Sequence, residues 1–337
     1  MTAAGDAANQ PDTERFQAQA VATPPGLPAI DGHGRPVLPG YQLLEKLGVG
    51  RSSVVWKAQL IGGFRPVAIK VLRPEMMDDS AVVRSFMSEG RLLAQLEADN
   101  GEHPHLVPVY DVGTFGHHLC ILMKYLRLGD LAAFVAGNFV GGRVGDPRAF
   151  LDLATQIAAG AAYLHENGIL HRDIKPANVF VDRHGGRMVL RLGDLGLATD
   201  LGHGDAATGT PLYMAPEGFL RQQATTQTDV YALGVTLFQV ATGQPPYRSD
   251  TLAGLSQLVR MAPVPQVWRY DPELPRPISD VIGKCMRKDP ARRFRDGSAV
   301  LAALREVREQ LNRLTPPPNS PDAANDESTW HGVPTQP

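Results

Sequence analysis

The sequence contains little cysteine and no long uninterrupted apolar run. Its two cysteines, Cys120 and Cys285, both lie within apolar stretches, which argues against a disulfide framework and favours a reducing compartment. The longest apolar stretch, near 150–164, is interrupted by Asp152 and Gln156, so nothing reaches the roughly 18 apolar residues of a membrane span. We therefore expect no membrane span and a cytoplasmic location.

Charge of one sign is also scarce, because the formal net charge is only −2 over 337 residues. Such a balance gives no general attraction to nucleic acid, and we expect no nucleic-acid partner. The first residues carry Asp6, Asp12 and Glu14 and have no apolar centre, so no signal peptide is expected. Hydrophobic residues make up 43% of the chain, which is ample for a core.

The two ends of the chain differ in composition from its middle. Residues 1–38 are rich in Ala, Pro, Gln and Gly, and residues 311–337 are polar and rich in Pro. Both stretches lack periodic apolar residues, so we predict disordered tails. A single folded domain is predicted over residues 39–310, with the periodic pattern starting near Tyr41.

One polar stretch, from His171 to Asn178, lies between two apolar runs that we predict as short buried strands. Loops between such elements commonly carry chemistry. Asp173 can accept a proton from a hydroxyl, Asn178 offers an amide oxygen to a hard cation, and Lys175 can neutralise a phosphate. Sixteen residues after Asn178 follows a second acid, Asp194. These groups suit Mg²⁺-assisted phosphoryl transfer, in which positioning and charge neutralisation supply most of the catalysis.

Further motifs precede this stretch. Gly48 and Gly50 form a turn between predicted strands, which suits backbone contacts with phosphates but is also common in ordinary hairpins. Lys70 is a lone charge in a strand-like run and could simply extend to solvent. Residues 80–97 have a helical pattern with Asp79 or Ser80 as its N-cap, and Glu89 lies on the apolar face. A buried carboxylate is costly unless paired, so we predict an ion pair between Lys70 and Glu89.

These motifs, together with a segment that ends in Ala215-Pro216-Glu217, resemble the eukaryotic-like bacterial serine/threonine protein kinases over residues 41 to about 310. The resemblance implies an α+β, bilobal, protein-kinase-like fold. Its small lobe, 39–123, would contain an antiparallel sheet and one helix, and its hinge would be 124–128. A larger, mainly helical lobe would occupy 129–310. ATP and Mg²⁺, with Mn²⁺ as an alternative metal, would bind in the cleft, and the substrates would be serine and threonine hydroxyls of proteins.

The resemblance also implies roles for individual residues. Asp173 would position or deprotonate the substrate hydroxyl, Lys175 would contact the γ-phosphate, and Asn178 and Asp194 would hold the metal. Asp130 would contact the ribose, with the alternative that it only caps a helix. The nucleotide site implied by the resemblance comprises Leu47, Gly48, Val49, Gly50, Val55, Ala68, Lys70, Glu89, Met123, Lys124, Leu126, Asp130, Phe180 and Asp194. Two positions depart from the usual family pattern: Ser53 replaces a third glycine, and Lys124 replaces a glutamate.

The resemblance also implies regulation through Arg172. In this family an arginine at this position usually binds a phosphate on the activation segment, here residues 194–217. Residues 202–207 contain no hydroxyl, so two options stay open. Thr199 or Thr208 is phosphorylated, or Asp205 reaches Arg172 as a built-in carboxylate, the option we slightly favour. The presence of Lys175 in the polar loop and of Thr210 ahead of the Ala-Pro-Glu motif resembles the serine/threonine class of these kinases rather than the tyrosine class. Glu217 and Arg293 would form a structural ion pair.

Other functions remain as alternatives. A pseudokinase scaffold would keep the fold and lose a catalytic group, whereas all the expected groups are present here. A small-molecule phosphotransferase would lack the segment that ends in Ala-Pro-Glu. A metal site built from His103, His105, His117 and His118 is disfavoured, because no cysteine or carboxylate cluster completes it. The sequence does not specify the oligomeric state.

Overall fold

The computed structural model describes residues 29–195 and 211–314. Within them the chain forms two compact units. The sheet unit contains residues 29–78 and 109–124, and the helical unit contains 79–108, 125–195 and 211–314. The sheet unit is thus discontinuous in sequence, because the chain leaves it after Asp78 and returns at Val109.

The sheet unit is built on a five-stranded antiparallel sheet in the order β1-β2-β3-β5-β4. Apolar residues make up most of its inner strands, as expected for strands that pack against a core. The strands are β1 (Tyr41–Val49), β2 (Ser53–Leu60), β3 (Pro66–Leu72), β4 (Val109–Phe115) and β5 (His118–Lys124).

The strand register decides which side chains share a face. Val55 pairs with Lys70, and Lys70 pairs with Ile121, so these three side chains lie on one face. Their neighbours Trp56 and Ile69 belong to the core of the unit, with Trp56 8% and Ile69 1% exposed. Lys70 therefore lies on the face opposite to that core.

The predicted disordered tail 1–38 disagrees with the structure over residues 29–38, which fold onto the sheet unit. Residues 1–28, like residues 315–337 of the other predicted tail, lie outside the described residues. A turn forms at Asp31, whose carboxylate accepts hydrogen bonds from the amides of His33 and Arg35. Leu38 is 3% exposed and belongs to the core of the sheet unit. Because an isolated leucine carries no periodicity, this burial left no pattern in the sequence.

The helical unit contains eight α-helices among the described residues and a two-stranded hairpin. Its core surrounds two long helices, α3 and α5, most of whose side chains are buried. The helices are α1 (Ser80–Asn100), α2 (Leu131–Asn138), α3 (Pro147–Glu166), α4 (Pro216–Phe219), α5 (Thr226–Thr242), α6 (Leu252–Met261), α7 (Arg276–Cys285) and α8 (Gly297–Leu314), and the hairpin strands are β6 (Val179–His184) and β7 (Arg187–Leu192).

Local capping signals in the sequence agree with the structure. The carboxylate of Asp79 accepts from the amides of Ala81 and Val82 at the start of α1. Asp146 caps α3, with Pro147 in the first helical position. Asp is favoured at the N-cap because its carboxylate accepts hydrogen bonds from the unpaired amides of the first turn. Pro is favoured in the first helical position because it has no amide hydrogen that would be left unpaired.

Two boundaries differ from the sequence-based prediction. α1 groups with the helical unit by its contacts, since Leu92, Leu93 and Leu96 pack against the core of that unit. α8 ends at Leu314, four residues beyond the predicted domain end at 310. The predicted class is confirmed: α+β, with an antiparallel sheet unit and a mainly helical unit. No helix among the described residues is long and apolar enough to cross a bilayer.

Candidate active site

The central polar loop connects α3 to β6. The strand predicted before it does not form, because Ile169 follows directly from the end of α3 and its amide bonds to the carbonyl of Leu164. Asp229, the fourth residue of α5, instead holds the loop. Its Oδ2 accepts from the amide of His171 at 2.7 Å and its Oδ1 from the amide of Arg172 at 2.7 Å. Asp229 therefore braces the loop, while Thr225 caps α5.

Arg172 adopts a left-handed backbone conformation, with φ of 66°. Such a conformation is uncommon for a residue with a Cβ and persists where the surroundings enforce it. The two amide bonds to Asp229 supply that enforcement, and Arg172 itself is exposed. The result is that the next residue, Asp173, starts from a fixed backbone position.

Asp173 lies at the centre of a cluster of charged and amide groups. Its Oδ2 accepts from Lys175 Nζ at 2.6 Å and from Asn178 Nδ2 at 2.8 Å. Asn178 Nδ2 also donates to the Asp173 carbonyl at 2.9 Å. A carboxylate held by two donors has a fixed direction, as a group must have if it is to receive a proton from a substrate.

The hairpin of β6 and β7 brings Asp194 to the same cluster. The Gly193 amide donates to the Asn178 carbonyl at 3.0 Å, and Asn178 Nδ2 lies 3.5 Å from the Asp194 carbonyl. Asp194 has a φ of 54°, a second left-handed non-glycine residue. Gly193 was not among the predicted site residues. A Cβ at this position would lie 2.7 Å from Val107 Cγ2 and 3.1 Å from Phe180. Only glycine therefore fits before Asp194.

Asn178 and Asp194 together fit a hard divalent cation. The hydrogen bonds of Asn178 use its amide nitrogen, so its amide oxygen is the atom that a cation would use. Among the described residues no group of three His, Cys, Asp or Glu could hold a metal. A cation such as Mg²⁺ commonly takes only one or two protein ligands with substrate phosphates and water, so this donor set suits a divalent metal ion bound with a nucleotide.

His171, the first residue of the polar loop, is a buried member of the site whose role the sequence does not indicate. It is fully buried, and its Nε2 has no hydrogen-bond partner in the described part of the chain. Burial lowers the pKa of His171, and the carboxylates of Asp229, Asp173 and Asp194 act in the opposite direction. A neutral imidazole thus supports the loop without adding a positive charge beside the acids.

Several predicted nucleotide residues share one face of the sheet unit. Val55, Ala68, Lys70 and Met123 lie on the face opposite to the core, as the register requires. The remaining group lies at the end of β1 and in the turn that follows it, and all four of its residues are exposed: Leu47, Gly48 and Val49 on β1, and Gly50 in the turn. Lys124 is the last residue of β5.

The other predicted nucleotide residues lie in the helical unit. Leu126 is buried and Phe180 is half-buried on β6. Asp130 caps α2, since its Oδ1 accepts from the Ala133 amide at 2.9 Å. The predicted contact of Asp130 with ribose stays a prediction. Lys70 is half-buried on β3, Glu89 is buried on α1, and their pairing stays a prediction too.

Glu217 and Arg293 form a buried, two-pronged ion pair. Arg293 Nη1 lies 2.7 Å from Glu217 Oε1, and Nη2 lies 2.8 Å from Oε2. Arg293 also donates to the carbonyls of Arg287, Gln227 and Lys288.

Apart from Arg172, the predicted regulatory residues lie outside the described residues: Thr199, Asp205, Thr208 and Thr210.

Three of the four histidines considered as a metal site have separate contacts. His118 Nε2 bonds to the Ala29 carbonyl at 2.6 Å, and His105 Nδ1 to the Leu190 carbonyl at 3.0 Å. His103 stacks on Tyr163 with ring centroids 4.2 Å apart. Burial lowers the pKa of His103 to about 4.

The sequence of the chain matches the protein kinase domain family over residues 41–302. The chain belongs to this family. The matched residues contain both the strands of the sheet unit and the loop with Asp173.

Individual relatives agree with this assignment. The serine/threonine-protein kinase PrkC of Bacillus subtilis is 31% identical over 77% of this kinase chain. PknD of Mycobacterium tuberculosis, also named a serine/threonine-protein kinase, is 35% identical over 78%. The chain covers 39% of the length of each of these two relatives. The crystal structure of the Mycobacterium tuberculosis PknI kinase domain is similar with a TM-score of 0.61 and 28% identity, covering 80% of this chain and 96% of that one.

Proposed function

We propose that this protein transfers the γ-phosphoryl group of ATP to serine and threonine hydroxyls of proteins, with Mg²⁺ as the metal. The observation that carries the proposal is the cluster of Asp173, Lys175 and Asn178, joined to Asp194 by Asn178. Phosphoryl transfer needs little covalent chemistry from the enzyme, and such a cluster supplies the positioning and charge that it does need.

Each residue of the cluster has a distinct part in the proposed reaction. Asp173 orients the substrate hydroxyl and accepts its proton, and Lys175 neutralises charge on the transferred group. Asn178 and Asp194 would hold Mg²⁺, which when bound would supply positive charge that offsets the negative charge of the phosphates. Lys70 contacts the α- and β-phosphates, and Glu89 orients Lys70.

The remaining nucleotide contacts follow from the same assignment. We place adenine against Val55, Ala68 and Met123, which share one face of the sheet. The backbone groups of Lys124 and Leu126 would bond to the adenine edge. Asp130 would bond to the ribose through the carboxylate oxygen that does not cap α2.

A single labelling experiment separates this proposal from its two alternatives. The protein is incubated with γ-labelled ATP, Mg²⁺ and a generic basic protein, and then with a metabolite extract. Label on serine or threonine of the protein supports the proposal. Nucleotide binding without any transfer would show a pseudokinase scaffold, and label only on metabolites would show a small-molecule phosphotransferase.

We propose in addition that basal activity does not require phosphorylation of the activation segment. The support is that 202–207 contains Asp205 but no hydroxyl, and Arg172 is exposed and available to a carboxylate or a phosphate. Phosphatase-treated and untreated enzyme are compared with Asp205→Ala and Thr208→Ala variants. Silencing by phosphatase or by Thr208→Ala, with Asp205→Ala still active, would show that a phosphothreonine is needed.

A cytoplasmic location is the remaining part of the proposal. Cys120 and Cys285 are both buried and free. Burial raises the pKa of the Cys285 thiol to about 12, so this cysteine is not reactive. The expected result for a tagged copy of the chain is recovery in the cytosolic fraction without detergent.

A further inference from the structure

The strand that leads to Asp194 contains a buried arginine, Arg191, that the proposed function does not use. Its side chain is 3% exposed. Buried arginines are rare and costly unless every donor is paired. The partners of the Arg191 donors therefore indicate which parts of the fold its side chain holds together.

Two carboxylates neutralise Arg191. Nη2 lies 2.9 Å from Glu102 Oε1, and Nε lies 3.1 Å from Asp182 Oδ2. Glu102 follows the C-terminus of α1, whereas Asp182 is on β6. The guanidinium thus joins the loop after α1 to the hairpin that carries Asp194.

Two carbonyl groups in the same loop complete the arrangement. Nη1 donates to the carbonyl of Leu106 at 3.0 Å and lies 3.4 Å from that of His103. A planar guanidinium can hold several acceptors in fixed directions, which a lysine cannot do.

Backbone bonds extend the arrangement to the next residue. The Val107 amide donates to the Leu192 carbonyl at 2.8 Å, and the Leu192 amide donates to the His105 carbonyl at 3.0 Å. β7 is therefore held by β6 on one edge and by 105–107 on the other. Gly193 then bonds to the Asn178 carbonyl, immediately before Asp194.

We propose that Arg191 is a positioning residue for the metal: it locks loop 102–106 onto β7 and so fixes the direction in which Asp194 meets Asn178. It does not touch substrate or nucleotide. Because the loop begins where α1 ends, Arg191 also ties the helix that carries Glu89 to the strand that leads to Asp194. This inference rests on the proposed function for its metal, but not for its geometry.

The test compares Arg191→Met and Arg191→Lys with Arg308→Met. Arg308 is a suitable control because it also bonds to a carboxylate and an uncharged oxygen, Asp152 Oδ1 at 2.7 Å and Thr155 Oγ1 at 2.9 Å, but between α8 and α3. ATP binding is measured by calorimetry with and without Mg²⁺, which requires no turnover. Hydrogen exchange of the Val107, Leu192 and Gly193 amides is measured on the same proteins.

We expect Arg191→Met to reduce the Mg²⁺-dependent gain in ATP affinity by about 10-fold, the lower end for loss of a group that orients a metal ligand. Metal-free ATP binding should stay as in wild type. Arg191→Lys should lie in between, and both variants should exchange the three amides faster. Arg308→Met should keep the full Mg²⁺ gain and the protection of these amides.

An unchanged Mg²⁺ gain in folded Arg191 variants would overturn the proposal, because Arg191 would then only stabilise the fold. If Arg191→Met does not fold, Glu102→Gln removes one partner at a half-exposed position, and a smaller loss of the Mg²⁺ gain is expected. A wild-type protein that binds ATP without any Mg²⁺ gain would refute the proposed metal site instead. Amide exchange would then still decide whether Arg191 locks the loop.

Discussion

At the scale of single residues, several buried charged groups of the helical unit have well-defined hydrogen-bond partners. Asp229 accepts two backbone amides of the loop, and Arg293 bonds to Glu217. Loss of the partner of a buried charge would lower the free energy of unfolding by several kcal/mol. Each of these groups therefore fixes the position of the backbone that it contacts. Asp173 differs, because it is a quarter exposed and its donors are side chains. A substitution of Asp173 can therefore change the reaction without loss of the fold.

Asp173→Asn should abolish phosphoryl transfer and leave the protein folded. The amide cannot accept the substrate proton, and loss of such a base costs about 10²–10⁴-fold in rate. Transfer from labelled ATP and the melting temperature are measured together. Turnover near that of wild type would contradict the role of Asp173.

Asp194→Asn should abolish transfer and also weaken Mg²⁺–ATP binding, since it removes a ligand charge. Calorimetry with and without Mg²⁺ separates the two Asp variants. Asp173→Asn serves as the control, because it should keep the Mg²⁺ gain that Asp194→Asn loses. The assignment of Asp194 as a metal ligand would be wrong if both variants kept that gain.

His103 makes a pH-dependent contribution to stability. Burial lowers its pKa from 6.5 to about 4, and the positive charges of His105 and Arg191 act in the same direction. The unfolded chain therefore binds the proton first, and the contribution is present above pH 6.5 and is lost as the pH falls through about 4. Since the ring is only half-buried, we expect this loss to be about 1 kcal/mol rather than the full value of the shift.

His103→Phe keeps a ring against Tyr163 and removes the titration. Between pH 7 and about pH 4.5, its free energy of unfolding should fall less than that of wild type, by about 1 kcal/mol. Urea unfolding at the two pH values measures this difference. Equal losses in the two proteins would assign the acid sensitivity to other groups, among them His171 and His105, whose pKa values are also lowered.

At the scale of elements, α3 is the helix that the other parts of the helical unit pack against. α8, β7 and α5 all contact it. Close approach requires a small residue, and a Cβ on Gly160 would lie 2.6 Å from the His105 carbonyl and 2.9 Å from Leu192 Cδ1. Loop 102–106 and β7 thus reach α3 at a point where only glycine fits.

Gly160→Ala should lower the free energy of unfolding by about 1–3 kcal/mol, because the methyl group overpacks this contact. Gly137→Ala is the matched control, since Gly137 is an exposed residue of α2 with nothing within 4 Å of the added Cβ. That change should be neutral or stabilise by up to about 1 kcal/mol through helix propensity. Urea unfolding measures both, and equal effects would show that α3 can move to accept the methyl group.

At the scale of the whole molecule, the described residues include a folded segment before the first strand. Residues 29–38 contact the sheet unit through Leu38 in its core and through the Ala29 carbonyl on His118. Pro39 lies against the turn at Gly116, where a Cβ would meet its ring at 3.1 Å. This segment is therefore part of the folded sheet unit, and a fragment that starts at residue 39 would lose it.

Leu38→Ala should destabilise the protein by about 2–4 kcal/mol, as expected for truncation of a fully buried leucine. Ile30→Ala in the same segment is the control, because Ile30 is 54% exposed and its truncation should cost less than about 0.5 kcal/mol. Thermal unfolding of the full chain measures the pair. A similar small effect of both changes would mean that residues 29–38 contribute little to the fold.

The sequence by itself determined the features that depend on near neighbours. Asp79 and Asp146 start helices, the turn before β7 closes a hairpin, and Asp173 and Asn178 share one loop, because capping, turn chemistry and periodicity act over a few residues. The predicted strand at Ile169-Leu170 was wrong for the same reason, since a two-residue apolar run carries too little periodicity to separate a strand from a helix end.

Only the tertiary structure decided how the loop is held. Asp229 bonds to the amide of His171 across 58 residues, and Arg191 bonds to the carbonyl of Leu106 across 85. Each of these polar residues could equally have been exposed, and no local pattern distinguishes the two cases. Their partners are set by how α5, β7 and the loop after α1 pack, and burial then makes an unpaired charge too costly to tolerate.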